Sequence, residues 1–554
     1  MTATIGVGAT GDQRIDGILS GIRWDVGSLT FSFPTQANQY GYGGEKSSFG
    51  VLSGTAQNTV RDILDMYGAF ADIQFVEITE TLANSATLRF ADSNSPSTAW
   101  AYYPDTGEWG GDVWANKSGT YSSEYDNPAR GDYGYFTYMH EIGHALGLKH
   151  AHETDSYGAV PGSTDSMEYS VMSYRSYVGQ SLSGGYTNET WGYAQTPMQY
   201  DIAALQHMYG ANYDTNSGNT VYTWSAGTGE MFVNGAGQGA PGGNVVLSTV
   251  WDGGGIDTYD LSNYSNDLMI DLAPGAWTTT SSTQIARLHW SGSQLAEGNI
   301  ANALLFDGDL RSLIENAIGG AGNDTINGNQ ADNELNGGSG YDVLSGYDGD
   351  DHLIGGVGDD NLFGNFGFDR LEGGAGNDRL IGGKQGDILL GDGGDDYLIG
   401  EKGNDHLFGN AGFDLLEGGQ GNDRLIGGKQ GDTLLGGAGN DRLYGENGDD
   451  ILNGGSGTDY LDGGVGNDTL TGSGNSDVFI FANNFGNDVI EDFDALDDFE
   501  DIDLSAVSSI VDFNDLFLNH LAQIGANSVI TDGTDTITLL NVNASNLGAE
   551  DFRF

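Results

Sequence analysis

The chain has 554 residues, with 79 acidic against 19 basic side chains, 92 glycines and no cysteine. The net charge of −60 leaves no basic face for nucleic acid, and the lack of cysteine excludes disulfides and thiol redox chemistry. No stretch approaches the roughly eighteen consecutive apolar residues of a membrane-spanning helix.

The length is enough for two or three cores, and a shift to glycine-rich sequence after about residue 212 sets the first boundary. Within residues 1–212, positions 58–67 predict a helix with Val60, Ile63, Leu64 and Tyr67 on one face. A strand is expected over 73–78. Another is expected over 86–91, placed at a sheet edge where an extended substrate would add by main-chain hydrogen bonds. Residues 133–146 predict a further helix, which carries the run His140-Glu141-Ile142-Gly143-His144-Ala145-Leu146-Gly147-Leu148-Lys149-His150.

On a helix, His140 and His144 are four apart and share a face, so both rings can converge on one tetrahedral zinc ion. Glu141 lies one residue round from that pair. Its carboxylate can reach a water at the metal without being a ligand, as a general base must. Gly147 is the natural helix terminus, and the turn it allows returns His150 as third ligand. Three protein ligands leave a fourth position open, the mark of a catalytic zinc site. Glu141 would then take a proton from the attacking water and pass it to the leaving amine of a peptide. With three ligands in place, His152 and His207 are expected to be non-ligands.

From Gly319 to Ile480 the chain divides into eighteen consecutive nonapeptides. Position one is always glycine, position six is aspartate in seventeen units (Asn333 is the exception), and position eight is always apolar. Such a period predicts a solenoid in which a glycine-rich hexapeptide turns, the last three residues form a short strand, and position eight points inward. Two units make one coil, giving about nine coils of a parallel β-roll stacked roughly 4.8 Å apart. The aspartates Asp324, Asp342, Asp351, Asp360, Asp369, Asp378, Asp387, Asp396, Asp405, Asp414, Asp423, Asp432, Asp441, Asp450, Asp459, Asp468 and Asp477 then form ladders along both edges. Neighbouring carboxylates at that spacing repel by about 1 kcal/mol even in water, so the roll requires cations, and hard oxygen ligands in flexible turns suit calcium. Leu371 to Asp387 repeats as Leu416 to Asp432 at sixteen of seventeen positions, an internal duplication of five units. Residues 213–318 form a bridge into the roll, and 481–554 return to alternating apolar sequence as a cap for its open end.

The extended histidine run, the turn Ser170-Val171-Met172-Ser173-Tyr174 and the nonapeptides together resemble the serralysins, secreted bacterial zinc endopeptidases of the metzincin group. The resemblance implies an α+β metzincin-like protease domain followed by a parallel β-roll solenoid with a C-terminal cap. It implies that Tyr174 ligates zinc at rest and swings away to hydrogen-bond the oxyanion, and that Met172 forms the apolar floor. It identifies 199–209 as the helix closing the catalytic domain. It also implies an isolated calcium site at the start of the roll, formed by Asp252, Gly254, Gly255 and Asp257 with Asn216, Gly218 and Thr220. Ala151, Arg175 and Asn216 stand where the family often has proline, tryptophan and arginine. None of these departures removes a ligand side chain.

Broad endopeptidase specificity, protein or peptide substrates, one-step type I export and a small protein inhibitor are further implications of the resemblance. So is a short propeptide, within at most the first dozen or so residues. The tail Glu550-Asp551-Phe552-Arg553-Phe554 resembles the family's acidic-then-apolar export signal, although Arg553 interrupts it. The first seventeen residues lack the basic patch and apolar stretch of a Sec signal, so an extracellular monomer stapled by calcium is expected, its roll unfolded until it meets calcium outside. Two other classes are weighed. A structural or adhesive calcium protein with a silent protease domain would show a substitution at His140, Glu141, His144 or His150, and none is present. A lipase would need a Gly-x-Ser-x-Gly elbow, which does not occur.

Overall fold

A computed structural model describes residues 2–496 and 499–554. They divide into two units: the chain up to Tyr264 with Met269–Ile314, and Ser265–Leu268 with Glu315–Phe554. No helix among the described residues is long and apolar enough to cross a membrane.

In the first unit the elements that position the site are β1 (Ser28–Ser32), α1 (Gly54–Phe70), β2 (Gln74–Glu77), β3 (Leu88–Ser93), β4 (Ala99–Ala101), β5 (Asp112–Asn116), α2 (Tyr133–Leu146) and α3 (Gln199–Tyr209). The strands form one sheet in the order β2-β1-β3-β5-β4, with β4 antiparallel and the others parallel. Helix α1 starts where the Ser53 hydroxyl accepts the Ala56 N–H at 3.0 Å. Its Val60, Ile63, Leu64 and Tyr67 are fully buried, each worth roughly 1.5–3 kcal/mol of transfer free energy. The Tyr67 hydroxyl donates to Met139 O at 2.8 Å and so ties α1 to α2.

The edge-strand expectation for 86–91 is overturned. Strand β3 lies between β1 and β5 with all six residues buried, and the edges are β2 and β4, the latter with Trp100 exposed. The charge on β3 at Arg89 is absorbed by ion pairing: the buried guanidinium meets the Asp112 carboxylate at 2.7 Å and Glu80 at 3.7 Å. Residues 213–264 and 269–314 fold into this same unit, where Trp251 and Ala303 cluster with Phe70 of α1 and Ile202 of α3.

The second unit is a repeat of parallel strands paired at a spacing of eighteen residues, as in Leu353↔Leu371 and Leu362↔Leu380. Leucines at position eight, from Leu335 to Leu470, are 0 % exposed and stack along the axis. The strands are longer than the three residues expected: His352–Val357 is typical, and pairing continues through Gly356↔Gly374 and Val357↔Ala375. Missing side chains allow this. A Cβ on Gly356, at φ +110°, would lie 2.3 Å from Gly338 O of the coil before. After the repeats, Asp535–Leu539 pairs with Asn487–Ile490 and closes a three-stranded antiparallel meander with Asn527–Asp532 and Leu521–Ile524.

Candidate metal centres

Helix α2 begins at Asp132, whose carboxylate accepts the Tyr135 N–H at 2.8 Å, and ends at Gly147 in a left-handed conformation, φ +115°. A Cβ there would come within 2.4 Å of Ile22 O, so glycine is required by space as well as by backbone angle. The following turn is held by a residue that the sequence reading did not single out. The Lys149 ammonium, 1 % exposed, donates to the carbonyls of Gly17, Glu153 and Gly158 at 2.7, 2.7 and 2.8 Å.

That scaffold brings one ligand atom each of His140, His144 and His150 within 4.8 Å of one another. The opposite ring nitrogens are all engaged. His140 Nδ1 meets Val171 O at 2.7 Å, His144 Nδ1 meets Leu148 O at 2.7 Å, and His150 Nδ1 meets Glu153 Oε1 at 2.8 Å. A carbonyl only accepts, so His140 and His144 must donate from Nδ1, which leaves bare lone pairs on Nε2. His144 Nε2 and His150 Nε2 face each other at 2.9 Å, an arrangement that a cation between them relieves. Burial, reinforced by the neighbouring rings, keeps the imidazoles neutral: His140 falls to about 4, His150 to about 2, and His144 well below its ordinary value. Three neutral nitrogens are the donor set of catalytic zinc sites.

Glu141 is buried beside this trio, and burial lifts its carboxyl to about 8 against an opposing hydrogen bond from the Ala101 N–H of β4. The ring of Tyr174 lies 4.3 Å from that of His150 and 5.7 Å from that of His140, with 39 % of the residue exposed. Burial, then the charge of Glu141, push its phenol to about 12. Met172 is fully buried beneath, and a Cβ on Gly143 would approach its sulfur to 2.8 Å. Arg175 turns away to ion-pair with Asp165 and to donate to Gln180 O at 2.7 Å, bracing the turn. Of the spare histidines, His207 hydrogen-bonds Gly8 O at 2.8 Å, while His152 stacks 5.5 Å from His150 and forms a second convergent set with His150 and Glu153.

Behind the histidines stands Asp201 of α3, fully buried, another residue not singled out from sequence. Its carboxylate accepts from Ser170 Oγ at 2.6 Å, Val171 N at 2.7 Å and Met198 N at 2.9 Å. Because Val171 O in turn orients His140, Asp201 fixes that imidazole through one peptide. Its signal was present: an acidic residue in the first turn of a helix that follows Pro197.

Residues 216–257 gather a second set of oxygens. The Thr220 hydroxyl donates to Gly218 O at 2.8 Å and Asn216 O at 3.2 Å, its N–H donates to Asp257 Oδ1 at 2.7 Å, and the Asp252 carboxylate accepts from Gly254 N and Tyr222 Oη. Gly255 permits the approach, since a Cβ there would sit 2.7 Å from the Gly218 carbonyl carbon and 2.9 Å from Asp257 Oδ1.

In the roll an aspartate at position six accepts the N–H of the position-six residue one coil earlier, as in Asp342 N to Asp360 Oδ1 at 2.8 Å and Asn333 N to Asp351 Oδ1 at 2.8 Å. The second oxygen points over the first glycine of its own unit: a Cβ on Gly337 would be 2.4 Å from Asp342 Oδ2. From Asp342 to Asp468, fifteen such Oδ2 atoms are buried without a hydrogen-bond donor, and a hard cation satisfies that deficit. Asn333 supplies its own donor instead, its amide reaching Glu315 O at 2.8 Å.

Residues between 313 and 490 match the RTX calcium-binding nonapeptide repeat family, and residues 211–288 match the peptidase M10 serralysin C-terminal family. Similarity extends to a serralysin of Proteus mirabilis, 31% identical over 55% of this chain and 60% of that protein. Serralysin C of Dickeya chrysanthemi is 36% identical over 41% of the chain and 42% of its own length. The metallopeptidase AprA of Pseudomonas marginalis is 32% identical over 55% and 61%. The matches therefore span less than two thirds of these relatives. The chain is thus similar to serralysins over part of its length, with residues 211–288 matching the serralysin C-terminal family and residues 313–490 the RTX calcium-binding nonapeptide repeat.

Proposed function

We propose that this protein is a calcium-stabilised zinc endopeptidase acting on extracellular proteins with broad specificity, with His140, His144 and His150 as zinc ligands. The observation that carries the reading is the convergence of three neutral imidazoles with the buried Glu141 at their side. Bound zinc would supply Lewis acidity toward the scissile carbonyl and the attacking water. Glu141 takes the proton of that water on its carboxylate, held in place by the Ala101 N–H, and returns it to the leaving amine. Tyr174, partly exposed with its ring 4.3 Å from that of His150, would help hold the metal through its phenol and would donate a hydrogen bond to the oxyanion during turnover. Edge strand β4 offers main-chain groups to an extended peptide beside Glu141. The unpartnered oxygens of the roll, and the cluster of Asn216, Gly218, Thr220, Asp252, Gly254, Gly255 and Asp257, are the calcium positions. Export by a one-step machinery and restraint by a small protein inhibitor belong to the same reading.

The experiment is casein hydrolysis by the calcium-loaded protein, comparing wild type with Glu141→Ala and with a zinc-chelated sample. Loss of activity in both supports the reading. A folded, zinc-loaded wild type that cleaves neither casein nor a peptide library refutes it.

A further inference from the structure

Beside His140 and Glu141 opens a cavity of about 760 Å³, between the N-terminal half of α2, edge strand β4 and residues 182–193. Its walls are aromatic. Tyr133 stands 4.8 Å from Tyr121, 5.7 Å from Tyr193 and 6.1 Å from Tyr186 by ring centroids, and Phe136 lies 5.2 Å from Tyr186 and 5.5 Å from Tyr193. Away from Glu141 the wall carries two more carboxylates, Glu124 and Asp132. Asp132 is committed to the start of α2, accepting the N–H groups of Tyr135 and Ala129. Glu124 forms no ion pair among the described residues, and burial together with the charge of Asp132 raises its pKa. Among the described residues no lysine or arginine lines the cavity, and Arg130 is paired with Asp62 at 2.8 Å.

We infer that this cavity takes a long cationic side chain, arginine or lysine, from a residue flanking the scissile bond. The inference rests on the protease reading and names its substrate class. Aromatic rings attract a guanidinium or ammonium group through their electron-rich π-systems, and apolar walls suit the methylene stem. Glu124 then supplies the opposite charge, which no group among the described residues supplies to it. A neutral leucine would fit the walls but leave the Glu124 carboxylate without an opposite charge.

The test uses the full chain loaded with zinc and calcium. Mass spectrometry of a digested peptide library should show arginine and lysine enriched at one of the two positions adjoining the cut. Glu124→Gln should lower the kcat/KM of an arginine peptide relative to its leucine counterpart about tenfold. Equal cleavage of the two peptides, or a ratio unmoved by Glu124→Gln, overturns the inference while leaving the protease reading intact. Calorimetry on the Glu141→Ala protein tests the cavity without turnover. The arginine peptide should bind about tenfold more tightly than the leucine peptide, and this preference should weaken in Glu141→Ala/Glu124→Gln. Equal affinities overturn the inference. If the wild type cleaves nothing, the protease reading falls, and the binding comparison decides the cavity by itself.

Discussion

Stripping calcium from the roll should reverse its response to pH. In the folded, cation-free ladder, burial and then neighbouring carboxylates raise the position-six aspartates to values from about 6, as at Asp342, through about 7 at Asp351 to about 8 at Asp387. The unfolded carboxyl titrates near 3.9. Because the folded pKa is the higher one, the folded roll binds more protons than the unfolded chain between about pH 4 and 8. The stabilisation from protonation is complete below the unfolded pKa and is lost as pH rises through 6 to 8. Each excess proton contributes a slope of about 1.4 kcal/mol per pH unit. Solvent near the turns screens the ladder, so the fifteen unpartnered oxygens represent only a few net protons. Three of these would already give about 4 kcal/mol per unit. Circular dichroism melts in a calcium chelator should therefore show the roll's transition at pH 5 and its loss by pH 8, while calcium restores it at pH 8 with release of protons. A chelated roll as stable at pH 8 as at pH 5 would refute the reasoning.

Asp201→Ala leaves Ser170 Oγ and the Val171 and Met198 N–H groups without their acceptor. Zinc affinity should fall about 10- to 100-fold by competition titration, whereas Asp201→Asn, which keeps an oxygen for the two N–H groups, should lose less. Leu398→Ala, at a fully buried position in the stack, should cost about 2–5 kcal/mol in denaturant unfolding of the calcium-loaded protein. Gly421→Ala should be worse than a cavity, because its Cβ would fall 1.3 Å from Gly403 O at a backbone φ of +143°. The expected outcome is a roll that fails to give a cooperative calcium-dependent transition.

Sequence alone determined whatever depends on local period or fixed spacing. Helix α2 and its histidines follow from the i, i+4 rule and from a glycine stop at Gly147, and the eighteen-residue coil follows from a strict nine-residue pattern. These are short-range properties, set by backbone geometry before any distant contact forms. Strand β3 was misplaced because edge and centre differ in their neighbours rather than in their residues, and Arg89 looks solvated until Asp112 is brought beside it from 23 residues away. The same limit hid Asp201 and Lys149. Their hydrogen bonds join Val171 to α3 and Gly17 to the His150 turn across 30 and 132 residues, and no local pattern records such a pairing. The aromatic cavity likewise exists only because α2 meets residues 182–193 in the folded first unit. The histidine cluster was thus written in spacing, while the groups that orient its rings and shape the pocket were decided by tertiary packing, which pairs residues by position in space.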